Sequence, residues 1–230
     1  MPTGTKRLFR RRGLGWLLPI FGYDCRDIED ATRYPAGVRR LYVYRAISQE
    51  QFGELCRSLI NVKEITIGWQ AWTELPIELG QLHALRSFAV LNMPLLQFPS
   101  FLVNCKNLRR LTIRGTDIRD IPDSIGRFAG LRYFDCSNCH QLESVSERLG
   151  DLLQLRELWL GENSLATLPQ SLGNLRKLRF IRLCGSPIPF EQQQRLKEML
   201  PARTRFHMSS GRSRLKYPEE LIQKSSTGHQ

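Results

Sequence analysis

Cys136-Ser-Asn-Cys139-His140 has the spacing of a reactive motif. Two thiols three positions apart, with a histidine directly after, can attach haem through thioethers and ligate its iron. The same thiols can hold zinc or cycle through a disulfide. The chain offers little to complete any of these sites. Its other cysteines, Cys25, Cys56, Cys105 and Cys184, are scattered. His83, His207 and His229 fall in no metal-ligand spacing such as His-Glu-x-x-His. Gly13-x-Gly15 lacks the third glycine and the preceding strand of a dinucleotide fingerprint. P-loop, nucleophile-elbow and kinase patterns are absent. The residues therefore predict a protein that is not an enzyme and that carries neither cofactor nor metal.

The 230 residues have a net charge of +12, unevenly spread: residues 1–40 contribute +5, residues 41–190 +3 and residues 191–230 +4. Basic ends attract nucleic acid, anionic lipid or acidic protein, and they also serve simply as solvated arms. Nucleic-acid binding through them would be steeply salt-dependent, and the scarcity of aromatics in the basic stretches counts against it. Lys6-Arg7 and Arg10-Arg11-Arg12 precede an apolar run from Leu14 to Phe21, with no small-x-small cleavage site after it. Residues 7–21 are open to three readings: a basic arm with a hydrophobic cap, a targeting signal, or peripheral contact with a membrane surface. No apolar run approaches the roughly 18–20 residues that cross a bilayer.

What must position the chemistry is a repeat. Aligned starts fall at Val38, Val62, Leu85, Leu108, Leu131, Leu155 and Leu178, at spacings of 23 or 24 residues. Counting each start as position one, positions one, four and six are apolar in every unit, from Val38/Leu41/Val43 to Leu178/Ile181/Leu183. The second half of the unit recurs too, as Leu75-Pro76 with Leu79-Gly80, Ile121-Pro122 with Ile125-Gly126 and Leu168-Pro169 with Leu172-Gly173. Cys136 falls at core position six and Cys139 at turn position nine, so the repeat accounts for both as small buried thiols. Cysteines placed by the repeat, rather than paired, suggest a reducing compartment.

The unit resembles the leucine-rich repeat, in the 23-residue form with an LPxxLGxLxxL second half. That form is familiar from intracellular scaffold proteins, plant immune receptors and bacterial effectors. The resemblance covers about residues 38–190. It implies an α/β solenoid with short parallel strands on a concave face and helical or 3₁₀ turns on a convex one. Each coil would bury its apolar face only against its neighbours.

The ends of the array are atypical, as ends facing water must be. Ser48 to Leu59 reads as a helix, with Phe52, Leu55 and Cys56 on one face. A second helix is expected from Phe190 to Leu200, stopped by Pro201, and Arg203 to Met208 alternates like a closing eighth strand. The predicted organisation is thus 1–37 basic arm and hydrophobic cap, 38–208 solenoid with C-terminal capping helix and strand, and 209–230 basic flexible tail. The resemblance implies Asn at position nine. Here that column reads Ala46, Gln70, Met93, Thr116, Cys139, Asn163 and Ser186, which predicts irregular turns in the first three units.

In this architecture positions three, five, seven and eight face the concave side. They bring Tyr133, Asp135, Trp159, Phe180 and Arg182 together from three successive strands, with Arg110 and Arg114 nearby. Exposed aromatics beside arginine have the composition of interface hot spots, although a basic terminal segment could also cover them. Position two is basic in every unit, and Arg86, Arg109, Arg132, Arg156 and Arg179 should form a ridge along the sheet edge. That ridge is either a solvated ladder or a contact for an acidic partner. The expected function is protein–protein interaction on the concave face, as scaffold, adaptor or secreted effector. The expected location is the cytoplasm, or a host cell if the protein is a delivered effector. Nucleic-acid or anionic-membrane binding through the basic termini is the alternative.

Overall fold

A computed structural model of the chain describes residues 23–207. Nine parallel strands form one sheet: β1 (Tyr23–Cys25), β2 (Val38–Val43), β3 (Glu64–Gly68), β4 (Ser87–Leu91), β5 (Arg110–Arg114), β7 (Tyr133–Asp135), β9 (Glu157–Trp159), β10 (Phe180–Arg182) and β11 (Arg205–His207). Two further short strands, β6 (Asp120–Ile121) and β8 (Ser144–Val145), pair with each other outside that sheet. Among the described residues three helices accompany them: α1 (Ile28–Arg33), α2 (Gln49–Ser58) and α3 (Phe190–Met199). This is the predicted solenoid of parallel strands and 3₁₀ turns.

The register follows the repeat. Position-three residues stand opposite one another from coil to coil: Arg40, Glu64, Ser87, Arg110, Tyr133, Glu157, Phe180 and then Arg205. Side chains alternate along each strand, so positions four and six turn inward together. All the apolar residues predicted at positions one, four and six are in the core, none more than 3% exposed.

The convex side is built from one-turn 3₁₀ segments. Pro76, Pro99, Pro122 and Pro169 each precede one, where a missing N–H costs nothing. Ser146 replaces proline before the fourth of these five segments and caps with its hydroxyl, which accepts from the Arg148 amide at 3.0 Å. These segments pack so closely that a Cβ on Gly150 would come within 2.3 Å of the Ser171 carbonyl oxygen. Helix α2 starts with a reciprocal cap, Ser48 Oγ accepting from the Gln51 amide and Gln51 Oε1 from the Ser48 amide.

The structure differs from the sequence expectation at the N-terminal side. Strand β1 lies within residues 1–37, which the sequence assigns to an arm and cap, and it pairs in parallel with β2. Only Tyr23 and Cys25 face the core there, too short a pattern to register as a repeat. The closing strand is present at Arg205–His207. Residues 7–21, Met208 and the tail from 209 onward lie outside the described residues.

The turns are also more regular than position nine suggests. The residues at position eight take left-handed backbone in six consecutive coils: Trp69, Asn92, Gly115, Asn138, Glu162 and Gly185, with φ between 52° and 78°. Arg45, at position eight of the first coil, does not join them, so only that turn departs from the pattern. Gln70 does the work of the family asparagine with a longer side chain. Its Nε2 donates to the Arg45 and Gly68 carbonyls, both at 3.1 Å, while its Oε1 accepts from the Ile47 amide.

Candidate functional site

Tyr133, Trp159 and Phe180 stand on β7, β9 and β10, three neighbouring strands. The Tyr133 and Trp159 rings are 6.4 Å apart, and Trp159 and Phe180 are 4.8 Å apart. Together they make one continuous aromatic surface on the concave face. Arg110 lays its guanidinium 4.1 Å from the Tyr133 centroid, and Arg182 lies 5.5 Å from that of Trp159. Such contacts are attractive because the ring face is electron-rich.

A polar layer holds the rings from below. Asp135 Oδ2 accepts from the Tyr133 hydroxyl at 3.2 Å, and Oδ1 accepts from the Ser137 amide at 3.1 Å. Arg114 Nε stands 3.9 Å from Asp135 Oδ2. Burial pushes the Asp135 carboxyl above its ordinary value, against the downward pull of Ser137, Arg114 and Tyr133. Burial likewise pushes the Tyr133 hydroxyl up. On the other side Arg182 donates to Glu162 Oε1 at 3.2 Å and to Cys184 Sγ at 2.9 Å. The Trp159 indole N–H is buried with no acceptor among the described residues.

All seven residues expected at the site are thus brought together. Two of them are not on its surface: Asp135 is 3% and Arg182 5% exposed. The rings close over them, and Gly161 leaves room beside Arg182, whose Nε would be 3.5 Å from a Cβ there. Asp135 and Arg182 therefore set the rings in place, leaving Tyr133, Trp159, Phe180 and Arg110 as the part of the cluster that reaches solvent.

A second aromatic group at the other end of the face was not foreseen. Tyr44 and Trp69, 42% and 56% exposed, have ring centroids 5.5 Å apart, and Tyr42 lies 6.5 Å from Tyr44. Gly68 lies under the Tyr44 ring, which a Cβ would meet at 3.1 Å. Tyr42 and Tyr44 belong to the position-five and position-seven columns, so the signal was present. The position-eight column holding Trp69 supplied the rest.

On the ridge, Arg86, Arg132, Arg156 and Arg179 are exposed, and Arg109 is half-buried, donating to the Lys106 and Leu108 carbonyls. Their backbones carry the sheet: each position-two carbonyl from Lys63 to Arg179 accepts from the next rung's amide at 2.7–2.8 Å. The Cys136 and Cys139 thiols do not converge with His140. Both are in the core at 0% exposure, 3.9 Å apart, while His140 lies on the surface. Cys139 takes the asparagine place, its Sγ 3.4 Å from the Ile113 carbonyl, as Asn163 Nδ2 is 2.7 Å from that of Cys136. Among the described residues no group of three or more His, Cys, Asp or Glu could hold a metal.

Residues 41–226 match the leucine-rich repeat region family. The chain belongs to the leucine-rich-repeat family. The TMV resistance protein N of Nicotiana glutinosa is 26% identical over 179 residues, which is 76% of this chain and 15% of that protein. The chain spans between 7% and 15% of the length of the curated plant resistance proteins it matches. Among solved structures, an internalin C2 of Listeria monocytogenes superposes with a TM-score of 0.63 at 14% identity, covering 82% of this chain and 78% of that one. A plant peptide hormone receptor in complex with its peptide superposes with a TM-score of 0.55 at 20% identity, covering 71% and 27%. These likenesses show the fold.

Proposed function

We propose that this leucine-rich-repeat chain is a non-enzymatic recognition module that binds a protein partner on the concave face. The carrying observation is the ring row Tyr133–Trp159–Phe180, which packs against itself and arginine instead of against the core. Aromatic and arginine side chains held rigidly at a surface give large contact area at low entropic cost, which is the composition of hot spots. The plant receptor with this fold is described in complex with a peptide, and the curated relatives are plant resistance proteins, which fits such a role. The chain acts as scaffold, adaptor or effector in a reducing compartment such as the cytoplasm. Cys56, Cys105, Cys136, Cys139 and Cys184, buried and in no disulfide, support that location.

The test is site-specific photo-cross-linking. A photoreactive phenylalanine analogue is placed at Phe180 on the concave face, or at Ile77, exposed on the convex side. A partner captured from Phe180 and not from Ile77 supports the reading. Adducts from Ile77 alone overturn it.

A further inference from the structure

We infer that the arginine ridge and the aromatic row together accept an amphipathic α-helix of the partner protein, one that carries a carboxylate at each turn. This inference rests on the concave-face reading and adds the chemistry of the occupant.

Among the described residues, no ion pair involves Arg86, Arg109, Arg132, Arg156 or Arg179. Lys106, Arg176 and Lys177 sit in the turns that lead into the same edge, and Glu157 is the one carboxylate at positions two and three from Arg86 to Phe180. A row of like charges repels itself, so an anionic partner gains from every rung.

Spacing selects the shape of that partner. Neighbouring rungs are one strand apart, about 4.8 Å. A helix advances about 5.4 Å per turn. Over the four steps from Arg86 to Arg179 the two ladders differ by only about 2–3 Å, which long arginine side chains absorb. An extended peptide repeats on one face every ~6.7 Å, and over the same rungs it falls out of step by nearly two rungs. The aromatic row runs in the same direction as the ridge, so one helix lying across the strands reaches both. Its apolar stripe meets Tyr133, Trp159 and Phe180, and its acidic stripe meets the ridge. This is the helix-in-groove mode of recognition.

Single-stranded nucleic acid fits less well. Base stacking needs open ring faces. Here Arg110 lies over the Tyr133 ring, and Trp159 already has Phe180 at 4.8 Å and Arg182 at 5.5 Å from its ring.

The experiment uses the full chain and a fluorescent synthetic helix of about 18 residues with a leucine face and one glutamate per turn beside it. Its twin carries glutamine in place of each glutamate. Anisotropy titrations are run on the parent, on Arg132→Glu/Arg156→Glu and on Trp159→Ala, with circular dichroism verifying that each is folded. Oligouridylate and phosphatidylserine vesicles serve as competing probes.

The expected result is that the glutamate helix binds the parent about tenfold or more tightly than its twin. That preference disappears in the ridge variant and weakens with salt, and Trp159→Ala weakens both helices alike. Equal binding of the two helices, no binding of either, or ridge-dependent binding of oligouridylate or vesicles above that of the helix overturns the inference. A Trp159→Ala change without effect on either helix instead sinks the concave-face reading beneath it.

Discussion

Arg182 passes beneath Trp159, its guanidinium 5.5 Å from the ring centroid, and ends on Glu162 at 3.2 Å. One side chain thus ties the centre of the aromatic row to the left-handed turn of the preceding coil. Truncating it removes the cation–π contact and leaves a void under the ring. Glu162 is 38% exposed at its side chain and can rehydrate, so the loss is smaller than for a fully buried pair. Arg182→Ala should destabilise the fold by ~1–3 kcal/mol in urea denaturation. Arg182→Met, which keeps the aliphatic stem, should cost less. If Met costs as much as Ala, the guanidinium rather than its packing carries the site.

Trp69 holds a left-handed backbone at φ 53° while its ring is 56% exposed. Neither backbone nor core demands tryptophan there, and a strained, exposed aromatic points to a contact made elsewhere. Trp69→Gly removes the backbone cost, so stability should change by no more than about 1 kcal/mol. Gly115→Ala, at φ 61° with its Cβ 2.3 Å from Asn92 Oδ1, should destabilise by about 1–3 kcal/mol. Thermal melts of the two variants check the contrast. A large loss for Trp69→Gly would mean that the ring is structural.

Asp135 gives a pH prediction. Its folded pKa is raised by burial above the ordinary 3.8, so the native state holds its proton more tightly than the unfolded chain does. The stabilising contribution is then full below the unfolded value and is lost as pH rises through the folded one. Asp135→Asn cannot ionise. Its stability relative to the parent should therefore be more favourable at neutral pH than near pH 4, read as the difference in denaturation midpoints. The reverse trend would show the ionised carboxylate to be the stabilising form, held by Arg114.

The core was legible in the sequence because its signal is redundant: a wrong register would have turned Leu111, Phe134 or Leu158 outward in every coil at once. The aromatic row was legible for the same reason, since column position decides which face a side chain takes. Burial of Asp135 and Arg182 was not, because it depends on how the Tyr133 and Trp159 rings tilt across neighbouring strands, which spacing does not encode. Strand β1 escaped because two core residues make no period. The turn at position eight was half legible: Gly115, Gly185, Asn92 and Asn138 are residues that favour left-handed backbone, but Trp69 and Glu162 mask the column.

Cys139 replaces the family asparagine without changing the job, so restoring the amide should be tolerated. Cys139→Asn is expected to keep the fold with stability within about 1 kcal/mol of the parent, since Asn163 makes the equivalent bonds one coil later. A loss of several kcal/mol would show that the Cys136–Cys139 contact, at 3.9 Å, matters beyond packing.

The most direct test of concave-face recognition is quantitative affinity capture from cell extract with three baits of this chain: the parent, Trp159→Ala/Phe180→Ala, and Ile77→Ala on the convex side. The account predicts a partner retained by the parent and by Ile77→Ala and depleted about tenfold or more by the concave variant, in line with two hot-spot truncations. A partner retained equally by the concave variant, or lost with Ile77→Ala instead, would contradict it.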